Sequence, residues 1–334
     1  MEKKEKGGIV VSHIRRILKN FSAFVMSVLL TALPYMGFAP SALDTKADGC
    51  LLNVTMISDL HLEAKGPFRQ AFLRRGLLNL KRARHTVDAI LADGDLTNYG
   101  DEASVQAFYR IMEKYSPVHT LVCAPGNHDI GHVEDRDHDE VRASLIAAYN
   151  AYMGTAYDMI YYSAEINGYP FIVLCDEGER WDYCTISAQQ LDFLDRELAK
   201  AAEAGKPAFV CCHWPIEGTN GEETIWPESG IDLAGQDVKG VLEKYKNVFF
   251  ISGHMHAGIK SRAVEEKYGL SSAETVNGVT YLNLPSYGLV NWFGIPWSGT
   301  GAQLEVYADK VIFRPRNYLT GYWYVNSEYT FTLN

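Results

Sequence analysis

Five short clusters in this chain of 334 residues combine carboxylate, amide and imidazole side chains at spacings that suit metal chemistry. They are Asp59-x-His61, Gly94-Asp95-x-x-Asn98, Gly126-Asn127-His128-Asp129, a lone His213, and Gly253-His254-x-His256. Together they offer ligands for two divalent ions that share one carboxylate. A carboxylate paired with an imidazole suits a borderline ion such as Mn, Fe, Zn or Co. The two oxygens of Asp95 make it the natural bridge between ions about 3.5–4 Å apart. Asn127 adds a neutral carbonyl ligand, and His128 beside it is left to act on substrate. The alternating pairs Asp59/His61 and His254/His256 are expected to project to one side of extended segments. A single such cluster would mean little, because a lone histidine at a strand end is usually a satisfied surface or core residue. Five in order imply a hydrolytic two-metal enzyme. His13, His85 and His119 have no such company and read as bystanders.

The clusters need a scaffold, and each follows an apolar run that reads as a strand: Asn53–Ser58, Val87–Ala92, His119–Ala124, Pro207–Cys212 and Val248–Ser252. In an open α/β sheet, sites assemble at the carboxyl ends of the strands. Between these runs, apolar residues recur at helical spacing. Phe68, Phe72, Leu73, Leu77 and Leu80 mark one helix, and Val105, Phe108, Tyr109 and Met112 mark another over Glu102–Tyr115. Ser187 and Gln190 form a capping box for a helix carrying Leu191, Leu194 and Leu198. Strands alternating with helices argue for an α/β sandwich. His132–Asp139 is dense in charge and reads as a solvated loop. Gln303–Tyr307 and Lys310–Arg314 read as a hairpin inside an aromatic-rich tail, 291–334.

About 47% of residues are apolar and 22% charged, with a net charge of −10. That balance disfavours a long nucleic-acid polymer as partner, since gripping a phosphate backbone needs a basic stripe. Residues 1–20 form a basic n-region holding Lys3, Lys4, Lys6, Arg15, Arg16 and Lys19. Phe21–Ala39 is uncharged and mostly apolar, and small residues follow to Ala42. The pattern reads as a signal peptide over 21–42. An uncleaved anchor is the rival reading, because residues 21–39 approach the roughly 20 needed to span a bilayer. Either way the body from residue 50 is expected outside the cytoplasm. Cys123, Cys211 and Cys212 lie within strand runs as small core residues. Cys175 and Cys184 flank a loop and would be able to bridge in an exported protein.

The five clusters, taken as a set over about residues 53–260, resemble the calcineurin-like metallophosphoesterases. The resemblance implies a four-layer αββα sandwich of two mixed β-sheets flanked by helices, with residues 50–290 as the phosphoesterase domain and 291–334 as a β extension of it. It also implies two divalent ions (Mn, Fe or Zn). By the same resemblance, one ion takes Asp59, His61, Asp95 and His256, and the other takes Asp95, Asn127, His213 and His254. His128 becomes the catalytic histidine that meets the phosphoryl group. Asn98 stands where the family's protein phosphatases carry an Asp that orients this histidine, so Asp129 or a backbone carbonyl is expected to substitute. Purple acid phosphatases place a metal-binding Tyr at that position and lack the first-cluster His. The nearest resemblance is to the cyclic-nucleotide phosphodiesterase-like members. A small phosphoester is the implied substrate, cleaved by in-line attack of a water held between the ions. A phosphomonoesterase is the alternative, and a non-catalytic scaffold of the same fold the remote one. Selectivity would lie in loops such as Ala64–Arg69, Glu217–Ile231 and Tyr287–Gly301, with Trp181, Trp214 and Trp226 as ring-stacking candidates.

Overall fold

A computed structural model describes residues 47–82, 87–131, 136–180, 183–227, 229–231, 237–260, 265 and 269–334. The expected segments 1–20 and 21–42, together with Trp181, His85 and residues 132–135, lie outside the described residues. Among the described residues no helix is long and apolar enough to cross a membrane.

The strands are β1 (Leu52–Ile57), β2 (Ala89–Asp93), β3 (Leu121–Ala124), β4 (Tyr162–Ile166), β5 (Tyr169–Val173) and β6 (Ala208–Cys211). They continue as β7 (Val248–Ser252), β8 (Ala273–Val276), β9 (Val279–Asn283), β10 (Thr300–Val306), β11 (Lys310–Asn317) and β12 (Tyr329–Thr332). They form two six-stranded mixed sheets, ordered β12-β11-β10-β1-β2-β3 and β4-β5-β6-β7-β9-β8. In the first sheet β1, β2 and β3 run parallel. In the second, β5, β6, β7 and β9 do. The five runs read as strands are therefore five parallel strands, three in one sheet and two in the other. Their near-continuous Val, Ile, Leu and Phe content fits strands buried on both faces. Apolar side chains from both sheets join in one core.

The helices are α1 (Pro67–Leu80), α2 (Glu102–Tyr115), α3 (Asn127–Ile130), α4 (His138–Met153), α5 (Ala188–Glu203), α6 (Glu222–Ile225) and α7 (Val238–Leu242). Helix α1 packs beside α2, and α5 packs on β5 and α7. Helix α2 covers the predicted span, and Asp101 caps it by accepting from Ser104 N at 3.0 Å. Two local expectations are corrected. His138 and Asp139 open α4 rather than a loop, because Asp137 caps the free amides of Asp139 and Glu140. Ser187 does cap Gln190 N, but the reciprocal arm to Ser187 N comes from Glu177 Oε2 at 2.9 Å. The Gln190 carboxamide is instead spent on both backbone groups of buried Cys175. All six cysteines, Cys175 and Cys184 included, are free thiols.

The tail is built into the first sheet. Strand β10 pairs antiparallel with β1 from Leu52↔Val306 to Met56↔Ala302, so it occupies the sheet interior. The predicted hairpin is longer than its apolar run, with Thr300 paired to Asn317. Edge strand β3 is tied to the second sheet by Tyr162, whose hydroxyl accepts from Cys123 N at 3.0 Å and donates to Cys123 O at 2.8 Å.

Candidate metal centre

All five clusters lie at the carboxyl ends of their strands. Asp59 and His61 follow β1, Asp95 follows β2, Asn127 follows β3, His213 follows β6, and His254 and His256 follow β7. Backbone hydrogen bonds zip the first two loops together: Asp59 N to Gly94 O at 3.0 Å, His61 N to Asp95 O at 2.8 Å, and Leu62 N to Leu96 O at 3.0 Å.

The ligand-bearing residues do not alternate along extended strands as expected. Asp59 (φ 54°), His61 (46°), Asp95 (48°), His254 (64°) and His256 (45°) all adopt left-handed backbone. Among the described residues, the other non-glycine residues at positive φ are asparagines, which tolerate it best. Left-handed backbone costs an ordinary residue on the order of 1–3 kcal/mol and persists where surrounding structure enforces it, typically at functional sites. The side chains are therefore aimed by a twist at each ligand rather than by strand alternation. Glycine makes room for the convergence. A Cβ on Gly94 (φ 80°) would lie 2.3 Å from the His213 ring, and one on Gly126 would lie 2.2 Å from Asp95 Oδ1.

Asp59, His61, Asp95 and His256 form a group whose ligand atoms all lie within 4.8 Å of one another, a set that could hold a metal ion. Asp95 Oδ2 sits between two imidazoles, 3.4 Å from His61 Nε2 and 3.4 Å from His213 Nε2. Asn127 Oδ1 meets His254 Nδ1 at 3.1 Å. The rings of His213 and His254 are 5.3 Å apart, so Asn127, His254, His213 and Asp95 follow one another in contact.

Outer contacts fix the rings. His213 Nδ1 donates to Asp93 O at 2.8 Å, which leaves its Nε2 facing Asp95. His61 Nδ1 faces Asn98 Oδ1 at 3.3 Å, and the Asn98 amide donates to Glu63 Oε1 at 3.1 Å. Such outer acceptors select the tautomer that presents the other nitrogen to a metal. Ser229 Oγ meets His254 Nε2 at 2.8 Å, and Ser58 Oγ donates to Asp59 Oδ2 at 2.6 Å. Neither serine lies in a recognisable motif, although Ser58 immediately precedes Asp59.

His128 is supported by a backbone carbonyl. Its Nδ1 lies 3.1 Å from Asn98 O, and its Nε2 is 4.0 Å from Asp95 Oδ2 on a side chain that is 20% exposed. Asp129 does different work. Its carboxylate accepts from Leu96 N, Thr97 N, Thr97 Oγ1 and Gly126 N, stapling the β2 loop to the β3 loop. Of the ring-stacking candidates, Trp214 is core, whereas Trp226 is exposed.

The electrostatics ask for cations. Burial would raise the carboxyls of Asp59 and Asp95, yet the surrounding imidazoles hold Asp59 down at about 2 and Asp95 well below its usual range. Burial would lower His213 and His256, but the same carboxylates raise both; Asp95 acts foremost on His213 and Asp59 on His256. His61 and His254 stay neutral, pushed by burial to about 3. Even so, His213 Nε2 is buried without a hydrogen-bond partner, and Asp59 Oδ1 has only His256 Nε2, at 2.9 Å. Two imidazole nitrogens, His61 Nε2 and His256 Nε2, face each other at 3.0 Å. Buried carboxylates and imidazole nitrogens packed this closely fit divalent ions.

Comparison with known proteins agrees with this geometry. Residues 52–258 match the family of calcineurin-like phosphoesterases. A dimetal phosphatase from Danio rerio superposes with a TM-score of 0.58 at 15% identity, covering 85% of this chain and 100% of that one. A predicted phosphoesterase from Streptococcus pneumoniae aligns at 12% identity and a TM-score of 0.39, covering 84% and 97% of the two chains. No curated protein sequence matches the chain. The matched span takes in all five clusters and the parallel strands β1, β2, β3, β5, β6 and β7. The chain therefore belongs to the calcineurin-like phosphoesterases, hydrolases of phosphoric esters that use two divalent metal ions.

Proposed function

We propose that the chain is a phosphodiesterase acting on a small phosphoester, with His128 as its catalytic acid. The observation that carries this reading is the placement of His128. The Asn98 carbonyl takes its Nδ1–H, so a proton on Nε2 points to the open side of the cluster, beside Asp95. A histidine there can donate to the departing alkoxide, a role worth about 10²–10⁴ in rate. Asp59, His61, Asp95 and His256 would hold one ion, and Asp95, Asn127, His213 and His254 the other. Bound there, the ions would supply Lewis-acid polarisation of the phosphoryl group and a water acidic enough to ionise near neutral pH. Asp95 sets the spacing between the two ligand sets, and its Oδ1 is held by His128 N at 2.9 Å.

Diester preference is supported by the charge around the cluster. A monoester dianion is well served by a guanidinium clamp. Arg69, the guanidinium bonded to the first loop, gives its Nη1 to the His61 carbonyl and to Glu63 instead. The basic 1–20 and apolar 21–39 segments support a catalytic domain exported or tethered at a membrane, facing away from the cytoplasm. The test compares hydrolysis of bis(4-nitrophenyl) phosphate and 4-nitrophenyl phosphate with Mn, Fe, Zn or Co added. A higher kcat/KM for the diester is expected. Preference for the monoester would overturn the diesterase reading, and inactivity with every metal would point to a binding scaffold.

A further inference from the structure

Beside the metal cluster the chain displays large apolar side chains that its own core does not use. Trp292 is 71% exposed and Val290 67%. Both belong to the loop between β9 and β10, and that loop is firmly held. Ser286 N donates to Asn291 Oδ1 at 2.8 Å, and Asn291 Nδ2 returns to Ser286 O at 3.1 Å. Gly288 N donates to Asp59 O at 2.9 Å, Ile295 N to Ile259 O at 3.0 Å, and Ser298 Oγ to Leu289 O at 2.9 Å. Trp292 itself donates its backbone N–H to the carbonyl of His256 at 2.9 Å. The indole is therefore carried by the residue bonded to a cluster histidine. On the other side, Tyr99 is 45% exposed and directly follows Asn98, whose Oδ1 faces His61 Nδ1. His61 and His256 touch, so the Tyr99 loop and the Trp292 loop flank the same imidazole pair.

Val290, Trp292 and Trp297 (56% exposed) stand out of one well-bonded loop, and apolar exposure grouped in this way beside a polar cluster is the kind that marks a binding feature. We propose that Trp292 forms a subsite for a planar apolar ring on the substrate, so that the preferred phosphoesters carry an aromatic group on one ester arm. This inference rests on the phosphodiesterase reading and names the substrate class for the same site. The ring would lie against the indole while its phosphoryl group reaches the cluster. Stacking of this type is non-directional in sequence and chemistry, so it selects for a ring without reading its substituents.

Binding separates this inference from catalysis. The manganese-loaded protein is titrated calorimetrically with phenylphosphonate and with methylphosphonate, for the parent chain and for Trp292→Ala, Trp292→Phe and Tyr322→Ala. Tyr322 is an exposed aromatic of the tail and serves as the control. The ratio of phenyl to methyl affinity is expected to fall about tenfold in Trp292→Ala. It should persist in Trp292→Phe and Tyr322→Ala. A ratio within twofold of the parent in Trp292→Ala would overturn the subsite. So would a change in molecular mass in solution with the ratio intact, which would assign the face to contact between copies. Hydrolysis of the diester is scored separately. A protein that discriminates the phosphonates but cleaves no ester supports the subsite and refutes the hydrolase reading.

Discussion

Replacing Asp129 by Asn keeps size and shape but removes one acceptor oxygen from a carboxylate that holds two loops together. Asp129 Oδ1 accepts from Thr97 N and Thr97 Oγ1, both at 2.8 Å, while Oδ2 accepts from Leu96 N and Gly126 N, both at 3.0 Å. An Asn can serve one of these pairs with its oxygen and must turn its NH2 toward the other. Turned toward Thr97, whose hydroxyl can accept, the NH2 leaves one buried N–H without an acceptor; turned toward Leu96 and Gly126 it leaves two. At about 1–3 kcal/mol for each unsatisfied group, the loss is about 1–6 kcal/mol. The upper end is a large part of the about 5–15 kcal/mol that holds a domain together. Urea unfolding of the metal-free protein measures it, from the midpoint with the slope unchanged. The competing idea is that Asp129 orients His128. It predicts stability within about 1 kcal/mol of the parent, as for an ordinary surface change, together with a fall in kcat. That result would refute the staple.

Three further outcomes are expected. His128→Ala should lower kcat of the loaded enzyme by about 10²–10⁴ while metal content, read by elemental analysis, stays at the parent value; loss of metal would instead make His128 a ligand. Because Asp95 and Asp59 raise His213 and His256, these rings hold their protons to higher pH than ordinary imidazoles and must release them to bind a metal. Metal affinity should therefore rise with pH up to those raised values, with proton release visible as a buffer-dependent binding enthalpy; a pH-independent affinity would contradict the ligand set. Buried Lys260 donates to Asn283 Oδ1 at 3.1 Å, and burial lowers it to about 7. Between pH 7 and its ordinary value the unfolded chain binds a proton that the folded chain does not, so stability should climb by about 2–3 kcal/mol from pH 7 to 9. Lys260→Met should flatten that climb, read from urea midpoints across the range.

The scaffold was legible wherever local pattern and tertiary demand agreed. The five apolar runs became strands, and Val248–Ser252 and Glu102–Tyr115 have the boundaries the sequence suggested. Residue chemistry likewise singled out the side chains that converge around Asp95. What the sequence hid depends on contacts between distant segments. Nothing in the apolar run of β10 says that it pairs with β1 inside the sheet, because the two strands come from the far ends of the domain. The left-handed backbone at Asp59, His61, Asp95, His254 and His256 runs against residue preference and is enforced only once the loops lock together. Ser229 lies 25 residues before His254 and meets it only in the folded chain. Asp129 looked like a partner for its neighbour His128, yet its oxygens are claimed by backbone donors some 30 positions away.

The central claim is that two ions sharing Asp95 serve one diester-cleaving site. It is tested most directly by titrating the metal-free protein with manganese and recording bis(4-nitrophenyl) phosphate hydrolysis against manganese bound per chain. The account predicts that the rate stays low through the first ion and rises to its plateau as the second binds. Full activity at one ion per chain, or a rate independent of bound metal, would contradict it.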